Sequence, residues 1–166
     1  MNLLPPPHPD QPCVLKLPGV GPRQVAREAV RATLRATLQR WHGQPIGLIE
    51  TTRGPQPEPA SAARDLQVSI TYAGEDAWIA FHHGPVGLDA CLAQEFPERA
   101  EVTRLYLADD EADDDEDITG FARRWARHEA ALKHRGQGLA EGGTYPRPPR
   151  LRDWAEGDVA LALAWG

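Results

Sequence analysis

A chain of 166 residues with 41% hydrophobic and 25% charged side chains has an ordinary globular composition and enough length to bury a core, which excludes a disordered or fibrous chain. The formal net charge of -6 argues against nonspecific nucleic-acid binding, and no apolar run approaches the roughly 20 residues that span a bilayer. Cys13 and Cys91 form no CxxC pair, so neither a disulfide framework nor a zinc site is indicated. Met1 to Asp10 has no basic segment, and Pro5, Pro6 and Pro7 interrupt any apolar run that a secretion signal would need. The expectation is a soluble protein of the reducing cytoplasm, with no membrane and no nucleic acid among its partners.

Residues 1–12 hold five prolines and no periodic apolar pattern, so they read as an extended lead-in. Val14 to Leu17 is a short strand candidate. From Gly21 to Trp41, the spacing of Val30, Leu34, Leu38 and Trp41 predicts a helix with one buried stripe, stopped by Gly43 and Pro45. Ile46 to Glu50 is a brief strand, and the glycine and prolines from Arg53 to Pro59 predict irregular structure. Leu66, Val68, Ile70 and Tyr72 alternate with polar residues as in a half-buried strand. Gly74, Glu75 and Asp76 then turn the chain into an antiparallel partner, Ala77 to His82.

Val86 to Leu92 is a further apolar strand, in which Asp89 reads as the carboxylate that ends it, a turn or cap residue. Val102 to Leu107 fits a strand or a short helix. Phe121, Trp125, His128 and Leu132 define a helix with Thr119 as its N-cap and Gly136 as its stop. After Pro146, Pro148 and Pro149, two strands follow, around Leu151 to Trp154 and Asp158 to Trp165. A long helix followed by strands thus occurs twice, in halves 1–85 and 86–166 of one compact body, so the fold class is α+β with a pseudo-repeat.

Charge is unevenly distributed. Eight of the nine residues from Asp109 to Asp117 are acidic, the pattern of a solvated loop or frayed helix start. Arg23, Arg27, Arg31 and Arg35 recur every four residues and form a slowly winding stripe on their helix. That stripe is either a solvated face or a surface for phosphate or an acidic partner. Glu129 and Lys133, also four apart, project from one side of the second long helix, a spacing common to surface ion pairs. His82, His83, His128 and His134 are the other possible metal ligands, but adjacent strand histidines point to opposite faces and no carboxylate or thiol spacing completes a cage.

Taken in order, Pro85-Val86-Gly87-Leu88-Asp89, then Phe121, Trp125, His128-Glu129-Ala130, Lys133, Gly136 and Gly138, resemble two motifs of the 4'-phosphopantetheinyl transferase superfamily. These read P-[IV]-G-[IV]-D-x-E and F-x-x-x-W-x-x-K-E-A-x-x-K-x-x-G-x-G-L. Gly54-Pro55 and Leu66 to Gly74 resemble the family's G-x-P turn and F-N-L-S-H-S-G strand, so the likeness runs from about Gly21 to the closing strands. The resemblance implies a pseudo-twofold arrangement of two similar α+β halves, active as a monomer. It also implies transfer of the phosphopantetheine arm of coenzyme A to a serine of an acyl or peptidyl carrier protein. It makes Asp89 and Glu129 the ligands of Mg, and Glu129 and Lys133 the catalytic pair; Lys133, Arg53, Tyr72 and His128, with the arginine stripe, would contact coenzyme A. The sequence departs from the motifs at Cys91, which replaces the second acid, at His128, which replaces a lysine, and at Tyr72, which replaces a histidine. A relative that binds coenzyme A or a carrier without transfer is the alternative those departures allow.

Overall fold

The computed structural model describes residues 4–107, 117–137 and 147–166. The chain runs β1 (Cys13–Leu17), α1 (Arg23–His42), β2 (Leu48–Thr51), β3 (Gly54–Pro57), β4 (Gln67–Ala73), β5 (Asp76–His82), β6 (Val86–Leu92), α2 (Arg99–Tyr106), α3 (Ile118–Arg135), β7 (Arg150–Glu156) and β8 (Val159–Trp165). This is a mixed α+β chain. Its strands form two three-stranded sheets, ordered β1-β5-β4 and β6-β8-β7, and the separate β2-β3 hairpin; every pairing is antiparallel. In both three-stranded sheets the strand latest in sequence lies in the middle, the earliest on one side and the penultimate on the other.

Side-chain alternation explains the layering. On β5, Ala77, Ile79 and Phe81 face one core with Val30, Leu34 and Leu38 of α1, while Trp78 and Ala80 face another with Val86 and Leu88 of β6 and Leu161 and Leu163 of β8. A strand apolar on both faces is covered on both, and β5 is buried from Ala77 to His82. On β8 the alternate residues Ala160, Ala162 and Ala164 meet Ala122, Ala126 and Ala130 of α3. Small residues on both surfaces let helix and sheet approach closely. The layers are therefore α1, first sheet, second sheet and α3.

The closest approach is at Gly87. A Cβ there would collide with the Ala130 carbonyl oxygen and the His134 amide nitrogen, both backbone atoms of α3 that cannot swing aside. The helix itself starts at Asp117, whose carboxylate accepts a hydrogen bond from the Gly120 amide at 2.8 Å, and stops at Gly136 in the left-handed conformation (φ 67°). The cap is thus Asp117 rather than Thr119, a position where a carboxylate is favoured further by the helix dipole. Of the acidic run, residues 109–116 lie outside the described residues, as do Gly138 and Pro146.

Two other expectations change. Val102 to Tyr106 is resolved in favour of a helix, α2, and the Leu107 that caps its C-terminus is buried. Arg53 to Pro59 is not irregular throughout, because Gly54–Pro57 pairs with β2. Pro55 and Pro57 are two apart, so the donors they lack fall on one side of the strand, and Gly54 and Gln56 remain to serve the ladder. The Gln56 side chain brackets β4, donating to the Val68 carbonyl at 2.8 Å and accepting from the Val68 amide at 3.0 Å. Gly87→Ala should cost about 2–4 kcal/mol in urea unfolding, through backbone displacement of α3; a midpoint equal to that of the unsubstituted chain would contradict the packing described.

Candidate active site

Asp89 lies in the middle of β6, paired opposite Ala162 of β8, and is only 8% exposed. It does not end the strand and is no turn or cap residue, and two neighbouring side chains satisfy it in place. Lys133 donates from Nζ to Asp89 Oδ1 at 2.7 Å and to the Leu88 carbonyl at 3.0 Å. The Thr71 hydroxyl lies 3.4 Å from the same carboxylate oxygen. Burial pushes the Asp89 carboxyl above its ordinary range, against the opposing pull of the Lys133 ammonium and the Thr71 hydroxyl.

The partners on β4 were concealed in the sequence. Ser69 and Thr71 occupy the polar positions of an alternating strand, which suggests solvent, yet both are buried. They face β6 across the seam between the sheets. Ser69 Oγ accepts from the Leu88 amide at 2.9 Å and Thr71 Oγ1 from the Ala90 amide at 3.0 Å, so two hydroxyls serve amides of the facing strand. The available signal was β5, whose apolar residues on both faces announce a second layer that must also cover its neighbour β4.

Glu129 stands one turn before Lys133 on α3. Burial raises its carboxyl pKa, the Asp89 charge raises it further, and Lys133 opposes both. Cys91, on the same strand as Asp89, is a neutral thiol: burial and the two carboxylates push it up to about 11. Asp89, Glu129 and Lys133, but not Cys91, line a cleft of about 710 Å³. Its other walls carry Arg23, Arg27 and Arg31 of α1, Tyr72 of β4, and Arg53 and Gly54 from the β2-β3 hairpin. The first three members of the arginine stripe thus line the cleft.

Within that wall the cations are held differently. Arg31 is committed to Glu50, with Nε to Oε1 at 2.7 Å. The Arg23 guanidinium sits 5.6 Å from the centre of the Tyr72 ring. Burial raises the Tyr72 phenol pKa while Arg23, Arg27 and Arg31 lower it, so the hydroxyl remains a donor at neutral pH. Arg53 lines the cleft but spends its guanidinium on the protein itself, bonding the Val86 carbonyl, the Lys133 carbonyl and the Gln67 side chain. His128 is not brought to the cleft. Its ring lies 5.9 Å from that of Trp125, on the same helix.

Asp89, Glu129, Lys133, Tyr72 and Arg53 thus converge, whereas the sequence grouped His128 with them. Among the described residues no three His, Cys, Asp or Glu side chains form a group that could hold a metal ion unaided. Two adjacent carboxylates still suit magnesium, which is commonly held by one or two carboxylates, substrate phosphate oxygens and water. The donor set also lacks any soft or imidazole ligand, since the Cys91 thiol stays protonated. No helix among the described residues is long and apolar enough to cross a membrane.

No protein-family description matches this chain, and no curated protein sequence matches it either. What the site can do therefore rests on its own geometry. A cationic wall and two carboxylates with a lysine, all on one cleft, suit an anionic ligand.

The raised pKa of Glu129 has a thermodynamic consequence. A carboxyl that binds its proton more tightly in the folded than in the unfolded chain adds stability below its unfolded pKa, and that contribution is lost as pH rises through the folded value. At neutral pH Glu129 is consequently a liability. Glu129→Gln should raise the melting temperature at pH 7 by a few degrees and narrow the gap to the unsubstituted chain as the pH is lowered toward 4. A melting temperature that falls at pH 7 would contradict the environment assigned to Glu129.

Proposed function

We propose that this protein transfers 4'-phosphopantetheine from coenzyme A to a serine of an acyl or peptidyl carrier protein. The observation that carries the reading is the part-buried Asp89–Lys133 contact, 2.7 Å long, with Glu129 one turn away on the same arginine-lined cleft. The shared strand order of the two three-stranded sheets supports the pseudo-twofold arrangement, with 1–85 and 86–166 as similar halves. Such an arrangement supplies its own partner surface, which favours a monomer. Coenzyme A and two free cysteines suit the reducing cytoplasm.

In this reading the adenosine 3'-phosphate lies along Arg23, Arg27 and Tyr72, and the diphosphate lies at Asp89, Glu129 and Lys133. A magnesium ion held by Asp89 and Glu129 would neutralise part of the diphosphate charge when bound. The carrier serine hydroxyl attacks the phosphorus nearer the pantetheine. Glu129, whose raised pKa makes it a better base near neutrality than an ordinary carboxylate, takes the hydroxyl proton. A new bond from serine oxygen to phosphorus forms as the bond to the adenosine-side phosphate breaks, and the electron pair leaves with that phosphate. Lys133, already fixed by Asp89 and the Leu88 carbonyl, stabilises the departing charge. Little reorganisation is needed.

One observation favours a second reading, a chain that binds coenzyme A or a carrier without transfer. Cys91 stands where the resembling motif has a second acid, and its protonated thiol offers magnesium nothing. The same experiment separates the two. Incubated with apo carrier proteins, coenzyme A and magnesium, the chain should add the mass of one phosphopantetheine to a carrier serine, and Lys133→Ala should slow this by about 10²–10³-fold. Unchanged carrier masses, where another transferase succeeds on the same carriers, would leave the binding reading in its place.

A further inference from the structure

Arg53 sits at the tip of the β2-β3 hairpin, between Thr51 and Gly54 in the turn. Its guanidinium reaches across to three other elements. Nη2 donates to the Lys133 carbonyl at 2.9 Å and to the Val86 carbonyl at 3.0 Å, and Nη1 donates to Gln67 Oε1 at 3.2 Å. The first is an orphan carbonyl in the last turn of α3, also shared by the Gly136 amide at 3.1 Å, and the second opens β6. A cation at a helix C-terminus complements the dipole, and a planar fork can serve two carbonyls and an amide at once. The aliphatic stem adds contact, with Cδ lying 3.8 Å from where a Gly136 Cβ would stand.

The two carbonyls belong to the two elements whose spacing fixes the candidate site. Lys133 Nζ meets Asp89 only if the end of α3 is seated against the start of β6, and Gly87 permits the contact without holding it. Resting on the transfer reading above, we propose that Arg53 is a positioning residue. It clips α3 to β6 from the hairpin, so that the Lys133 backbone is fixed and its ammonium is delivered to the reacting phosphate. Three of its five N–H donors are engaged by protein oxygens, so its role is to hold Lys133 in place rather than to contact a phosphate directly. A displacement of about 1 Å at Lys133 is enough to reduce turnover by about 10²-fold.

The chain has two lysines, Lys16 and Lys133, which gives the test an internal reference. Acylation of the intact protein by acetic anhydride, read by mass spectrometry of each lysine, gives a Lys133 to Lys16 labelling ratio for the unsubstituted chain. In Arg53→Gln and Arg53→Lys the Lys133 to Lys16 ratio should rise several-fold. A ratio that does not move in either variant overturns the proposal whether or not the chain is a transferase, and equal labelling gains at both lysines mark a variant that has unfolded, for which the milder Arg53→Lys decides. Kinetics with an apo carrier supply the second arm: turnover at saturating coenzyme A should fall about 10–100-fold while the KM for coenzyme A stays within about twofold. A raised KM with turnover intact would overturn the positioning role in favour of a phosphate contact. Failure of the unsubstituted chain to transfer at all would count against the transfer reading alone, leaving the labelling ratio to judge Arg53.

Discussion

The contact on which the rest of the molecule depends is the seating of α3 against β6 at Gly87. Backbone meets backbone there, because the position has no side chain and because Ala126, Ala130, Ala160 and Ala162 keep the surrounding surface low. A helix held a side chain further away could not bring Lys133 to a carboxylate that belongs to the middle of a strand. The close approach is thus what converts a one-turn spacing on a helix into a part-buried charged contact. It also explains how so short a pair of layers tolerates a buried aspartate: the ammonium, the hydroxyl and the backbone around it compensate for lost water.

The first sheet contributes in a different way. Its β4 strand presents Ser69 and Thr71 to β6 as acceptors for amides of that strand, so two sheets that share no ladder are nonetheless in register at the site. The β2-β3 hairpin adds Arg53 on one side, and α1 closes the cleft with its basic stripe. Every layer except the α2 segment therefore places at least one group on the cleft. Such convergence of separate elements on one polar end is what distinguishes a built site from an incidental surface ion pair.

Much of this was legible in the sequence wherever one periodicity ruled a segment. The alternation of Val68, Ile70 and Tyr72, the helical spacing of Val30, Leu34 and Leu38, and the left-handed glycine at Gly136 each encode a local geometry that tertiary packing had no reason to override. Asp89, Glu129 and Lys133 were likewise visible as candidates. What stayed hidden was set by long-range contacts: the burial of Ser69 and Thr71, the mid-strand place of Asp89, and the spending of Arg53 on backbone carbonyls. Pro55 and Pro57 misled because proline excludes a central strand but not one side of a hairpin. Thr119 misled because two good capping residues stood close together, and the carboxylate of Asp117 makes the stronger bond to the helix end. His128 was drawn into the site by its place in the resembling motif, although adjacent residues on a helix point about 100° apart.

The most direct measurement of the central claim is a crystal structure of the chain grown with coenzyme A and magnesium. The account predicts the adenosine 3'-phosphate on the Arg23 and Tyr72 wall, the diphosphate within hydrogen-bond reach of Lys133, and magnesium held by the carboxylates of Asp89 and Glu129. Coenzyme A bound elsewhere on the molecule, with the Asp89–Lys133 contact and its cleft untouched, would contradict it.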